Sequence, residues 1–132
     1  DSGFFLSNVA RCLCDETEFK TPPHDFVRDI ISPKDLAQLL VLIFEANVPN
    51  MMFDAVSAMP VTKFEILDAL QREFGLRVKV KNPNKIKCLS QISTNCNASA
   101  LGYDAECASL DVVRSEMRAL MGYSPVKRHR LR

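Results

Sequence analysis

The sequence predicts a small α/β layer, rich in helix and with short strands, and three observations carry that reading. Hydrophobic periods of 3.6 and 2 alternate along the chain in the order α, β, α, β, α, β, short α, α. Two of the helices open on sharp start signals directly after short strand-like stretches. The four Gly residues, at positions 3, 75, 102 and 122, are scattered. The clustered Gly that lets a backbone approach a pyrophosphate is therefore not in view. The 132 residues suit one domain with a modest core. That domain is expected to span residues 1–122, with a solvated basic tail over 123–132.

Phe5, Val9, Cys12 and Leu13 recur at helical spacing, which predicts a helix over 4–14. The stretch DETEFKTPPHD, residues 15–25, is polar with two Pro and reads as a loop. Val27 to Ile31 reads as a short strand. Ser32 then offers an N-cap, Pro33 takes the first helical position, and Asp35 faces the positive end of the dipole. This helix should run to about Glu45. Its apolar residues nearly surround it, so burial on more than one side is expected.

The tetrapeptide NVPN breaks the chain, and Met51 to Val56 reads as a second strand. Thr62 with Glu65 forms a capping box, and Gly75 ends the helix it opens. In LRVKVK, residues 76–81, apolar and basic residues alternate, which predicts a half-exposed strand. Residues 82–93 read as an irregular connection, and Asn97 to Leu101 as a single helical turn. Ser109 is placed as the cap of a last helix over 110–121, closed by Gly122.

Hydrophobic content of 47% and charged content of 25% describe a folded rather than a disordered chain. A formal net charge of +1 gives no general pull toward nucleic acid or an anionic membrane. No apolar run approaches the roughly 20 residues that cross a bilayer. Five Cys, at 12, 14, 88, 96 and 107, have an odd count and spacings that fit neither a disulfide framework nor a zinc site. Reduced structural thiols in a cytoplasmic protein are expected, with no metal.

Catalytic patterns are weak. Tyr123 and Lys127 have Tyr-x-x-x-Lys spacing, but Gly122 and Pro125 interrupt the helix that would align them. His24 and His129 have no nucleophile or carboxylate at a diagnostic spacing. No catalytic residue is assigned.

Three segments carry a resemblance. RDIISPKDLAQLLVLIFE resembles the Arg-Asp-aromatic-Ile-His-Val-x-Asp-Leu-Ala segment of the extended short-chain dehydrogenase/reductase family, the NAD(P)-dependent epimerases and dehydratases. MFDAVSAMPVTKFEILDAL resembles its Phe-Asn-Val-Gly-Ser-Gly-x-Pro-Val-Thr segment and capped helix. TNCNASALGYDAECASLDVVRSEM resembles its closing Asp-x-Ser-Lys-x-x-x-Leu-Gly-aromatic region and final helix. Order and spacing agree over about residues 4–121.

The match covers the C-terminal, substrate-binding portion of that family and lacks the Rossmann half with its Gly-rich loop and catalytic Tyr-x-x-x-Lys. The resemblance implies a fragment, or one domain of a larger enzyme, without turnover in isolation. The opening Asp-Ser-Gly-Phe-Phe-Leu, which reads like mid-chain sequence, agrees with this. NAD(P) is implied for the complete enzyme and no cofactor for this chain. The implied substrate is a phosphate-bearing sugar.

In nucleotide-sugar members the Arg at the position of Arg28 contacts ligand phosphate, a task that suits a planar, permanently charged guanidinium. The alternative is an ion pair with Asp25, Asp29 or Asp35. Lys85 and Lys87 stand where the family often has a second Arg, and are the further substrate-binding candidates. The sequence departs from the family pattern at Asp54, Val56 and Ala58, where Asn and two Gly are usual. A domain parted from its other half exposes apolar surface, so a homo-oligomer is expected. The second functional reading is a non-catalytic α/β module that binds a protein partner or an acidic small molecule.

Overall fold

The computed structural model describes residues 4–48, 50–82, 88–90 and 92–122. The elements are α1 (Phe5–Cys14), β1 (Glu18–Thr21), β2 (Asp25–Arg28), α2 (Pro33–Ala46), β3 (Val61–Thr62), α3 (Lys63–Phe74), β4 (Arg77–Val80), β5 (Cys88–Ser90), α4 (Asn97–Ala100) and α5 (Ser109–Leu120). The expected mixed α/β layer with short strands is the architecture observed.

The strands form two small sheets. In one, β1 and β4 run parallel, with Phe19 opposite Val78 and Lys20 opposite Lys79. In the other, β2 is the middle strand, antiparallel to β3 and parallel to β5. Helix α3 is the hub of the main core. Its Ile66, Leu67 and Leu70 are buried with Val9 and Leu13 of α1, Phe19 of β1, and Val113 and Met117 of α5. A second, smaller cluster gathers Leu39, Ala98 and Tyr103 under α2.

Local chemistry sets the helix ends. The Thr62–Glu65 capping box is present in both directions, with Glu65 N–H donating to Thr62 Oγ1 and Thr62 N–H to Glu65 Oε2. Gly75 sits at φ 73°, a left-handed conformation cheap for Gly, and its N–H returns to Gln71 O. Glu73 of α3 bridges to Arg114 and Arg118 of α5.

The structure corrects the sequence reading at five places. Residues 15–25 hold β1 and the start of β2, because Phe19 and Thr21 are buried on one side of a strand whose partner lies some sixty residues on. Residues 51–56 form no strand. Phe53, Ala55 and Val56 pack on the second cluster, but their backbone finds no ladder. Residues 82–93 include β5, which pairs with β2. Ser109 is not the cap of α5: it is the first helical residue, and its hydroxyl is turned to other work. Helix α2 is buried on one side only, with Leu36, Leu40, Val41 and Phe44 open to solvent. The tail over 123–132, with Tyr123 and Lys127, lies outside the described residues.

Candidate functional site

Arg28 is the last residue of β2, the middle strand of its sheet, and pairs in register with Val61. It is half-buried. Its Nη1 donates to Val27 O at 3.2 Å, and its Cζ lies 4.5 Å from the centroid of the Phe26 ring. Such a cation–π contact holds the guanidinium without using its N–H donors. Arg28 makes no ion pair among the described residues.

The three carboxylates nearest in sequence are all engaged elsewhere. Asp25 Oδ1 accepts from the N–H of Phe26 at 2.9 Å and of Phe64 at 3.3 Å. Asp29 Oδ1 accepts from Ser57 N–H at 2.9 Å and Ser109 Oγ at 3.5 Å. Asp35 is fully buried and accepts from Ser32 Oγ, Glu106 N–H and Cys107 N–H at 2.8, 3.0 and 3.1 Å. Burial alone would raise the Asp35 pKa. The Glu106, Ser32 and Cys107 donors outweigh it and hold the carboxyl below its ordinary value. Of five guanidinium N–H donors, Arg28 spends one on Val27.

Three parts of the chain meet at Phe26. Phe5 of α1 stands edge-on to it at 5.3 Å and edge-on to Phe19 of β1 at 5.8 Å. The first helix, the 15–25 segment and Arg28 thus converge on one aromatic cluster. Lys63, which the sequence reading passed over as an ordinary helix-start residue, lies beneath it. It is 1% exposed; its Nζ donates to Pro22 O at 2.7 Å and to His24 O, and rests 4.2 Å from the Phe64 ring. Burial lowers its pKa, against the opposing charge of Asp25. Its ammonium is committed to the turn between β1 and β2 and serves as scaffold for the strand that carries Arg28. A Lys immediately after a capping Thr gives no local sign of this, because both carbonyls it binds lie about forty residues away.

Asp29 lies beside a cleft that Arg28 does not line. Ser57, which it holds, lines a cavity of about 240 Å³ with Asn95, Ser99, Tyr103 and Asp104. Tyr103 donates to Val56 O at 2.7 Å. Burial, then the charges of Asp35 and Asp29, raise its pKa. Lys85 and Lys87 lie outside the described residues. Cys12, Cys14, Cys96 and Cys107 are free thiols. Among the described residues no group of three His, Cys, Asp or Glu side chains is placed to hold a metal ion, and no helix is long and apolar enough to cross a membrane.

No family model and no curated protein matches the sequence. Two solved structures share the fold. One is a UDP-N-acetylglucosamine 4-epimerase from Bacillus cereus, with TM-score 0.63 and 15% identity, over 92% of this chain and 42% of that one. The other is a UDP-glucuronic acid 4-epimerase from Bacillus cereus in complex with NAD, with TM-score 0.67 and 14% identity, over 92% and 40%. The chain thus spans about two-fifths of the length of the proteins it matches. The fold expected from the three sequence segments is one that UDP-sugar 4-epimerases contain.

Proposed function

We propose that this chain is the substrate-binding portion of an NAD(P)-dependent enzyme of the epimerase/dehydratase type, acting on a phosphate-bearing sugar. The observation that carries it is Arg28: a half-buried guanidinium, held 4.5 Å from the centre of the Phe26 ring, and unclaimed by any of its three neighbouring carboxylates. A charge held this way is arranged for a ligand that supplies two acceptor oxygens, and a phosphate does so.

The starts of α2 and α3 do not fit a dinucleotide. The N-terminus of α2 is capped by Ser32 Oγ, with the buried Asp35 carboxylate directly behind it, and that of α3 is closed by the Thr62–Glu65 capping box, which leaves no place for a pyrophosphate at either. Gly75, Gly102 and Gly122 have positive φ and follow helices rather than open them. No hydride step is assigned to this chain; NAD(P) belongs to the complete enzyme, in a cytoplasmic setting. The open apolar face of α2 favours a second reading, a non-catalytic module that binds a protein partner.

A thermal-shift panel separates the two readings. UDP, UDP-glucose and UDP-N-acetylglucosamine should raise the melting temperature saturably, by mass action on the folded state. Arg28→Ala should weaken the apparent affinity at least about tenfold, the loss of a charge-assisted contact. NADH should give no shift. No response to any phosphate ligand, or one that survives Arg28→Ala, contradicts the substrate-binding reading.

A further inference from the structure

The turn between β1 and β2, Pro22-Pro23-His24, is also the bend between the two sheets, since β1 pairs with β4 and β2 with β3 and β5. Two of its three residues are Pro and carry no backbone N–H, so the turn has little with which to close itself. A side chain from another element closes it. Lys63 opens α3, and its Nζ donates to Pro22 O at 2.7 Å and to His24 O. The residues beside it hold β2 along its length: Val61 pairs with Arg28, Thr62 with Val27, and Phe64 N–H donates to Asp25 Oδ1 at 3.3 Å. Phe26 lies between these holds. The centre of its ring is 4.5 Å from Arg28 Cζ and 5.9 Å from Lys63 Nζ.

We propose that Lys63 is a positioning residue for Arg28: by closing the bend, its ammonium fixes where β2 begins, hence where the Phe26 ring stands and where that ring holds the guanidinium. Stability alone does not call for a cation here. Lys63 is 1% exposed and sits in the first turn of a helix, where the dipole favours negative charge. Burying an ammonium forfeits its hydration, a penalty that an apolar side chain of the same length avoids. What the ammonium adds is a fixed place for two carbonyls that their own turn does not satisfy. Without it β1 and β2 can swing relative to each other. The edge-on contacts of Phe5 with Phe19 and Phe26, which join the two sheets, then loosen with them. The consequence for phosphate binding rests on the substrate-binding reading of Arg28; the consequence for the placement of Arg28 does not.

Lys63→Met keeps the length of the side chain and removes its N–H donors. Proton NMR of the 132-residue chain without ligand reads the placement of Arg28. In wild type the Phe26 ring current should displace the Arg28 δ-proton resonances, and in Lys63→Met they should return toward the values of an exposed Arg. UDP affinity should fall at least about fivefold, the scale of a coupling between sites. Met117→Ala, which opens a cavity in the main core, is the destabilised control and should leave both readings at their wild-type values. Should Lys63→Met not fold, an alkaline titration of ligand-free wild type decides. There Asp25 and Arg28 keep their charges and His24 stays neutral, so the Arg28 displacement should be lost in step with the Lys63 Nζ resonance. A displacement that survives Lys63→Met, that is lost equally in Met117→Ala, or that ignores the titration of Lys63 overturns the proposal. A displacement that depends on Lys63 in a chain that binds no UDP supports the positioning and contradicts the substrate-binding reading alone.

Discussion

Two residues carry the argument, and they differ in how they hold their charge. Arg28 keeps its guanidinium half-open against an aromatic face. Asp35 is fully buried, and its carboxylate is satisfied by three donors, Ser32 Oγ nearby and the Glu106 and Cys107 N–H groups of one distant segment. The sequence marked Asp35 as a first-turn carboxylate; its second task, pinning the backbone at 106–107 to the start of α2, depends on residues about seventy positions away. Asp35→Ala should cost about 2 kcal/mol, since it removes the acceptor of Ser32 Oγ and of the part-buried Glu106 and Cys107 N–H groups. Urea denaturation reads this directly. The pH dependence follows in sign. The folded carboxyl titrates below its ordinary value of 3.8, so its contribution is fully present above that pH. It is lost as pH falls through the folded value. Below that range the difference between wild type and Asp35→Ala should narrow; a gap unchanged with pH would contradict the role assigned to the charge.

At the level of elements, helices were legible where their ends are written locally. Thr62, Glu65 and Gly75 mark both ends of α3, and Ser32 with Pro33 marks the start of α2. Strand β4 was legible from its clean alternation, and β2 in part, since the expected 27–31 overlaps Asp25–Arg28 at Val27 and Arg28. Strand β1 has two inward positions, Phe19 and Thr21, set among charges and followed by two Pro, so nothing local separates it from a loop. The reverse error fell on 51–56, whose β-compatible residues pack by side chain without ladder partners. Ser109 shows the same limit at one position. It looks like a cap, yet its Oγ accepts from Ile30 N–H at 2.9 Å and meets Ser57 Oγ at 2.8 Å, tying α5 to the end of β2. Ser109→Ala should therefore cost about 1.5 kcal/mol, because it removes the acceptor of the part-buried Ile30 N–H and the partner of the buried Ser57 hydroxyl. A loss under about 0.5 kcal/mol in chemical denaturation, the scale of a neutral surface change, would argue against that tie.

For the whole molecule, the main core is built around α3 and a smaller one lies under α2, with β2 at the centre of the larger sheet. That arrangement places Arg28 where α1, β1 and β2 meet, and leaves one face of α2 open. The three sequence segments pointed to this fold because their order and spacing, rather than any one of them, were distinctive. The convergence on Phe26 was not legible, since it needs Phe5, Phe19 and Lys63 brought together by tertiary packing. The most direct test of the central claim is phosphorus NMR of UDP titrated with this chain. A guanidinium that grips the terminal phosphate should shift and broaden that resonance with wild type, and leave it near its free position with Arg28→Ala. Identical phosphorus spectra for the two proteins would contradict the claim.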